Sequence, residues 1–211
     1  MKVLVVDDHA IVRHGLKQIL SELDEITLVA EAATGNDAIR MVRDAAWDLV
    51  MLDITLPDRN GIEVLKQLKN EFPKLRVLML TGHGENQYAL RALKAGAAGY
   101  LTKQSAADEL ITAVRQVASG RKYVTASLAE MLAENLGHDV ERPRHETLSD
   151  REYQTLCLIA QGKSLTLIAE EMCLSVKTVS VYRSRLLQKM ELKNNPELIH
   201  YAIKNGLVEP M

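Results

Sequence analysis

Val3-Leu4-Val5-Val6 runs straight into Asp7-Asp8, and Leu49-Val50-Met51-Leu52 runs straight into Asp53. Both stretches are short, unbroken and apolar, with no polar alternation. That pattern marks strands buried on both faces of a parallel sheet. Three more runs of the same kind occupy Thr27–Ala30, Leu75–Leu80 and Ala97–Leu101. Between the runs lie stretches with helical spacing, such as Val12, Leu16, Ile19, Leu20 and Leu23. The last helix of the series is expected over Ser105–Ser119, stopped by Gly120. Strand and amphipathic helix alternate throughout, which predicts an α/β domain built on a five-stranded, doubly wound parallel sheet.

After Gly120 the strand signal ends. Ser127-Leu128-Ala129-Glu130 reads as a capping box that opens a short connecting helix, and His138–Thr147, with Pro143, reads as a linker. From Leu148 onward the pattern is helical: Ser149–Ala160, Ser164–Met172, Ser175–Met190 and Pro196–Lys204. The expected division is an α/β domain over 1–122, a connection over 123–147, and a smaller all-α domain of four helices over 148–211.

Composition narrows the function. Of 211 residues, 47% are hydrophobic and 26% charged, the balance of a globular chain. No apolar run approaches the roughly 18–20 residues that cross a bilayer, and Met1-Lys2-Val3 leads into a strand, so neither membrane nor secretion leader is expected. Two cysteines, Cys157 and Cys173, form no disulfide framework or paired metal motif, in keeping with a reducing cytoplasm. The six histidines show no metal spacing and read as surface or capping residues. Aromatics are too few for a single-strand stacking platform, and a net charge of −2 excludes a globally basic nucleic-acid binder. A local basic element remains open.

In a parallel sheet, chemistry collects at the carboxyl ends of the strands. Those ends carry Asp7-Asp8, Asp53, Thr81 and Lys103. Carboxylates gathered in one place repel unless a positive charge sits among them. A hard dication such as Mg²⁺ (or Mn²⁺) answers that need and keeps positions open for a phosphate oxygen. Lys103 adds a compact charge and Thr81 a hydroxyl for an anionic ligand. Asp53 is the candidate nucleophile, because a carboxylate can form an aspartyl phosphate. The competing reading, that these residues only cap strand ends and helix starts, explains each one singly but not all five on one edge.

Val5-Val6-Asp7-Asp8-His9, Val12-Arg13-x-Gly15-Leu16, the Asp53 loop with Pro57 and Gly61, Thr81, and Ala97-x-Gly99-Tyr100-Leu101-x-Lys103 together resemble the receiver domain of two-component response regulators, a flavodoxin-like fold. The resemblance implies that Asp53 accepts phosphate from a sensor histidine kinase. It also implies a metal site of Asp7, Asp8, Asp53 and the Thr55 main-chain carbonyl, with Lys103 on the phosphoryl group. Thr81 and Tyr100 would form a switch pair. Gly82 and Gln104 depart from the family's usual residues.

In the C-terminal domain, Ser164–Met172, a turn at Cys173-Leu174, and Ser175–Met190 have helix-turn-helix spacing. The second helix carries Lys177, Arg183, Arg185 and Lys189 and no acid. Val176, Val179, Leu186, Leu187 and Met190 fall on one side at 100° per residue, and Lys177, Ser180, Val181, Ser184 and Gln188 on the other. Such a helix suits a major groove, with long cations on phosphates and small residues on base edges, although a solvated helix face has the same composition. Leu148-Ser149-x-Arg151-Glu152, Ile159-Ala160-x-Gly162, Ile168-Ala169 and Ser175-Val176-Lys177-Thr178-Val179 with Lys189-Met190 resemble the LuxR-type helix-turn-helix, and the pairing resembles the NarL/FixJ family. That resemblance implies contacts to double-stranded DNA through Lys177, Thr178, Arg185 and Lys189, and base reading by Ser180, Val181 and Ser184. It further implies a cytoplasmic bacterial transcription regulator that acts as a homodimer, with RNA polymerase as a further partner, and is not a turnover enzyme. Phosphorylation would alter dimerisation or exposure of the helix-turn-helix. Leu165-Thr166-Leu167 and Ser180 depart from the family pattern and leave a rival open: a receiver whose C-terminal domain binds protein through Leu165 and Leu167. A Mg²⁺-dependent phosphohydrolase is the remaining alternative.

Overall fold

The computed structural model describes residues 1–82, 86–105, 107–126, 128–130, 133 and 143–208. It separates into two compact units, Met1–Glu134 and Asn135–Met211.

The first unit runs β1 (Lys2–Val6), α1 (Ala10–Ser21), β2 (Leu28–Ala32), α2 (Gly35–Asp44), β3 (Leu49–Asp53), α3 (Gly61–Glu71), β4 (Arg76–Thr81), α4 (Asn86–Lys94), β5 (Gly99–Thr102) and α5 (Ala107–Ala118). All pairings are parallel, in the order β2-β1-β3-β4-β5. Right-handed crossovers make that order reverse the winding between β1 and its two neighbours, so α1 and α5 share one face while α2, α3 and α4 take the other. The side chains follow. Val3, Val5, Leu49, Met51, Leu78 and Leu80 pack with Leu20 of α1 and Leu110, Val114 and Val117 of α5. Every residue of β3 is buried, as its unbroken apolar run requires. Each such Leu or Val contributes roughly 1.5–3 kcal/mol.

Three expectations shift. β2 lies at Leu28–Ala32 rather than Thr27–Ala30, because an edge strand tolerates Glu31, whose carboxylate meets Lys17 of α1 at 2.8 Å. β5 begins at Gly99, where an added Cβ would stand 2.9 Å from Leu78 Cδ1 and 3.0 Å from the Tyr123 carbonyl. The connection expected over 123–147 is tied down at both ends. Tyr123 bridges Gly99, and its hydroxyl donates to Glu109 at 3.0 Å. Arg144–Thr147 form a 3-10 turn in which Arg144 donates to the Met190 carbonyl at 2.8 Å and pairs with Glu191 at 2.8 Å. Single long-range contacts of this kind leave no periodicity to read. Ser127 of the expected capping box and His138 of the expected linker fall outside the described residues.

The second unit contains α6 (Asp150–Ala160), α7 (Leu165–Glu171), α8 (Val176–Met190) and α9 (Asn195–Lys204). A reciprocal capping box of Ser149 and Glu152 opens α6. Ser164, Ser175 and Asn194 cap α7, α8 and α9 through backbone N–H groups of Leu167, Thr178 and Glu197. Between α7 and α8, Cys173 takes a left-handed φ of 52°, which makes the turn tight enough for the helix-turn-helix spacing. Leu186, Met190, Leu156, Ile168, Leu198 and Ala202 are fully buried in this unit.

Candidate functional site

The winding reversal brings the ends of β1 and β3 side by side, with Val6 opposite Leu52, so Asp7 and Asp53 emerge together. Both are buried. Lys103, one residue past β5, is held by its N–H to the Thr81 carbonyl at 2.7 Å. Its ammonium reaches Asp7 Oδ2 at 2.7 Å and Asp53 Oδ2 at 2.8 Å. One cation thus bridges two carboxylates that would otherwise repel across a low-dielectric edge.

The loop after β3 is fixed from several sides. Gly61 N–H donates to the Ile54 carbonyl at 2.7 Å, Thr55 bridges Asn60, and the buried Asn60 side chain caps α3 through Ile62 N–H at 2.8 Å. An added Cβ at Gly61 would lie 2.0 Å from the Asp53 carbonyl oxygen, so only glycine permits this closure. Asp58 reaches from the loop to the start of α2, accepting from Gly35 N–H at 2.9 Å and Asn36 N–H at 2.8 Å.

Burial raises the Asp53 carboxyl from 3.8 to about 6; Lys103 and the Thr55 N–H pull it back, and Asp7 adds to the rise. Burial also opposes the Lys103 charge, but Asp53 and Asp7 outweigh it and hold the ammonium above the ordinary lysine value. The site can therefore keep a nucleophilic oxygen ionised near neutrality beside a fixed positive charge.

Asp7, Asp8 and Asp53 converge with one further residue. Ligand atoms of Asp7, Asp8, His9 and Asp53 all lie within 4.8 Å of one another. His9 occupies the N-cap position of α1 but makes no side-chain cap bond; its Nδ1 meets Asp8 Oδ1 at 2.7 Å and Asp7 Oδ1 at 3.2 Å. Its adjacency to two carboxylates was the available signal. Arg13 also reaches this edge: its guanidinium donates to the Asp7 carbonyl at 2.6 Å, steadying the β1–α1 loop. Thr81 ends β4 and Tyr100 lies within β5, and both are buried.

On α8 the outward residues Lys177, Val181, Ser184, Arg185 and Gln188 are exposed, and Thr178 and Ser180 are partly so. Thr178 shares the cap, its hydroxyl 2.8 Å from Ser175 Oγ. Lys177 and Arg185 have no ion-pair partner among the described residues. Lys189 differs from expectation, because its ammonium donates to the buried Glu152 at 2.6 Å instead of standing free. Arg183 likewise turns inward to Asn195 Oδ1 at 2.6 Å. Of the two leucines that depart from the family pattern, Leu165 is partly buried and Leu167 is 53% exposed. Among the described residues no helix is long and apolar enough to cross a membrane.

Residues 3–115 match the response regulator receiver domain, and residues 146–202 match the luxR family of bacterial regulatory proteins. The chain is 36% identical over 208 residues to the response regulator UvrY of Escherichia coli K12, covering 98% of this chain and 95% of that one. It is 33% identical over 210 residues to the response regulator GacA of Pseudomonas aeruginosa, covering 99% and 98%. A structure of RcsB from Salmonella enterica serovar Typhimurium, bound to promoter rprA in the presence of phosphomimetic BeF3⁻, is similar with a TM-score of 0.66 and 26% identity over 95% of this chain and 97% of that one.

Proposed function

Because the chain belongs to the NarL/FixJ family of two-component response regulators, it is a phosphorylation-controlled, DNA-binding transcription regulator, and we propose that its message is an aspartyl phosphate on Asp53. The observation that carries this reading is the buried Asp7–Asp53 pair bridged by Lys103 at the carboxyl edge of the sheet. In the proposed transfer, an Asp53 carboxylate oxygen attacks the phosphorus of a phosphohistidine on a sensor histidine kinase. The P–O bond forms as the P–N bond breaks, and the electron pair remains on the imidazole nitrogen. With its pKa at about 6, Asp53 is mostly ionised at neutral pH and able to attack.

Asp7, Asp8, Asp53 and the Thr55 carbonyl would be the oxygen donors for Mg²⁺ or Mn²⁺. The fit rests on carboxylate oxygens of Asp7, Asp8 and Asp53 lying within 4.8 Å of one another and on the two buried carboxylates that share one ammonium; the Thr55 carbonyl is carried over from the family resemblance. Such an ion, when bound, neutralises charge on the oxygens of the transferring group. Lys103 holds the phosphoryl group from the β5 side, and Thr81 and Tyr100 relay its presence. The chain holds one phosphoryl group and releases it slowly by hydrolysis, without turnover of a substrate.

The output lies in α8, entering the major groove of double-stranded DNA in the bacterial cytoplasm. Lys177, Thr178 and Arg185 take phosphates, and Lys189 joins them where phosphate competes with Glu152. Ser180, Val181 and Ser184 face base edges. Phosphorylation changes dimerisation or exposure of this helix; Ile203, 42% exposed on α9, supports a homodimer through that helix, matched to paired half-sites. RNA polymerase is the downstream partner. Of the two leucines that the protein-binding rival invokes, Leu167 is exposed and Leu165 is partly buried.

Incubation with acetyl phosphate and Mg²⁺ tests the reading. One phosphoryl group on Asp53 by mass spectrometry, absent from Asp53→Asn, is the expected result; stable modification elsewhere or none would overturn it.

A further inference from the structure

His9 occupies a position that Ser, Thr, Asp or Asn ordinarily fills, yet as the N-cap of α1 it makes no side-chain cap bond. Core packing does not account for it either, because the imidazole is 64% exposed. The ring is nevertheless held in place. The His9 N–H donates to Asp7 Oδ1 at 2.8 Å, tying the loop to that carboxylate. Nδ1 then lies 2.7 Å from Asp8 Oδ1 and 3.2 Å from Asp7 Oδ1. Lys103 takes the other oxygen of Asp7, Oδ2, together with Oδ2 of Asp53. Ammonium and imidazole thus meet Asp7 through different oxygens, and of the two only the imidazole can offer a lone pair.

Ligand atoms of His9, Asp7, Asp8 and Asp53 lie within 4.8 Å of one another, a spread that one ion can span. Resting on the reading of the three aspartates as a metal site, we infer that His9 Nδ1 is a further ligand there and makes the site select a transition-metal dication, such as Mn²⁺ or Co²⁺, over Mg²⁺. Mg²⁺ favours oxygen and parts reluctantly with water, so a ring nitrogen adds little to its binding. Imidazole is a better donor to the transition series, and its hold strengthens from Mn²⁺ to Co²⁺. Binding through Nδ1 leaves the ring proton on Nε2 and ends the contact between Nδ1 and Asp8, which frees that carboxylate for the same ion. A His9 that merely oriented Asp8 through an Nδ1–H bond would serve every dication alike.

The test uses the full chain without an affinity tag, stripped by a chelator and titrated calorimetrically with Mg²⁺, Mn²⁺ and Co²⁺. His9→Ala should lower Co²⁺ affinity at least about tenfold, the lower end of what disturbing even the outer partner of a histidine ligand costs, and Mn²⁺ affinity by less. Mg²⁺ affinity should stay unchanged, a water taking the place of the ring. His9→Ser supplies the missing cap, keeps α1 intact, and should show the same split. Pulsed EPR at one equivalent of Mn²⁺ should detect a directly bound imidazole nitrogen in the wild type and in neither variant. If the three ions weaken by one common factor, or if no nitrogen couples to Mn²⁺, His9 only orients Asp8; the inference is overturned while the metal site stands. If no dication binds the wild type, or if binding is undiminished in Asp53→Asn, the reading of the aspartates as a metal site falls and the inference with it.

Discussion

At the carboxyl edge of the sheet, Lys103 is shared at 2.7 and 2.8 Å by two carboxylates that water barely reaches, whereas along α8 Lys177 and Arg185 stand in solvent with no ion-pair partner among the described residues. The receiver concentrates its charges where the local dielectric is low, so each charge depends on the others and none can be lost alone. On α8 the cations act nearly independently, in high dielectric and under salt screening. The difference teaches how each region should respond to damage: the first as a single coupled unit, the second by increments.

Lys103→Met probes the coupled unit and should have the largest effect. Phosphorylation by acetyl phosphate should fall about a hundredfold, the usual cost of removing a preorganised charge stabiliser. The fold should also lose about 3 kcal/mol near neutral pH without divalent cations, because breaking a buried pair strands its partner. The sign of the pH dependence follows from Asp53. Its folded pKa, about 6, lies above the ordinary 3.8, so stability linked to the protonated carboxyl is present below pH 3.8 and is lost as pH rises through 6. Removing Lys103 pushes that carboxyl higher still and extends the loss upward. Urea midpoints should therefore show a larger deficit for the variant near neutrality than in mild acid. A deficit independent of pH would break the coupled description.

The incremental region is sharpened by Lys177→Ala and Arg185→Ala. Each should weaken DNA binding about tenfold at moderate salt and flatten the dependence of log affinity on log salt by about one. The double variant should show the sum of the two losses to within a few tenths of a kcal/mol. Binding titrations at several salt concentrations measure both quantities. Strong non-additivity would mean that α8 too behaves as a unit.

The same contrast explains what could be read from sequence. Asp7, Asp53, Thr81 and Lys103 were legible because strand ends in a doubly wound sheet converge by topology alone, and each residue follows an unmistakable apolar run. The four C-terminal helices were legible from spacing and from their Ser and Asn caps. Partners chosen by folding rather than by period were not. Asp58 capping α2, Arg13 on the Asp7 carbonyl and Arg144 at the end of α8 join residues whose local patterns give no hint of one another. Lys189 is the plainest case. Its place among the cations of one helix suggested phosphate, while its ammonium meets Glu152, 37 positions earlier in the chain.

That Lys189–Glu152 pair sits between the two extremes, and it carries the smallest predicted effect. Glu152 is buried, yet Lys189 is substantially exposed, so the pair is coupled at one end and screened at the other. Burial alone would raise the Glu152 carboxyl, but hydrogen bonds from Lys189 and from the Ser149 N–H and hydroxyl outweigh it and hold the carboxyl below its ordinary 4.5. A depressed pKa gives a contribution that is present above pH 4.5 and disappears as pH falls through the folded-state value. Glu152→Gln keeps a hydrogen-bond acceptor for the Ser149 N–H while removing the charge. It should cost about 1 kcal/mol at neutral pH, on the scale of a helix cap, and that cost should vanish in acid, where the wild-type carboxyl is itself protonated. Amide exchange of Asp150–Ala160 in the full chain measures both limits. The variant also frees Lys189 for phosphate, so DNA affinity should rise slightly even as the α6 amides lose protection. A variant that lost protection at neutral pH and bound DNA more weakly would show that Glu152 orients Lys189 for the groove, and would move this pair into the coupled class.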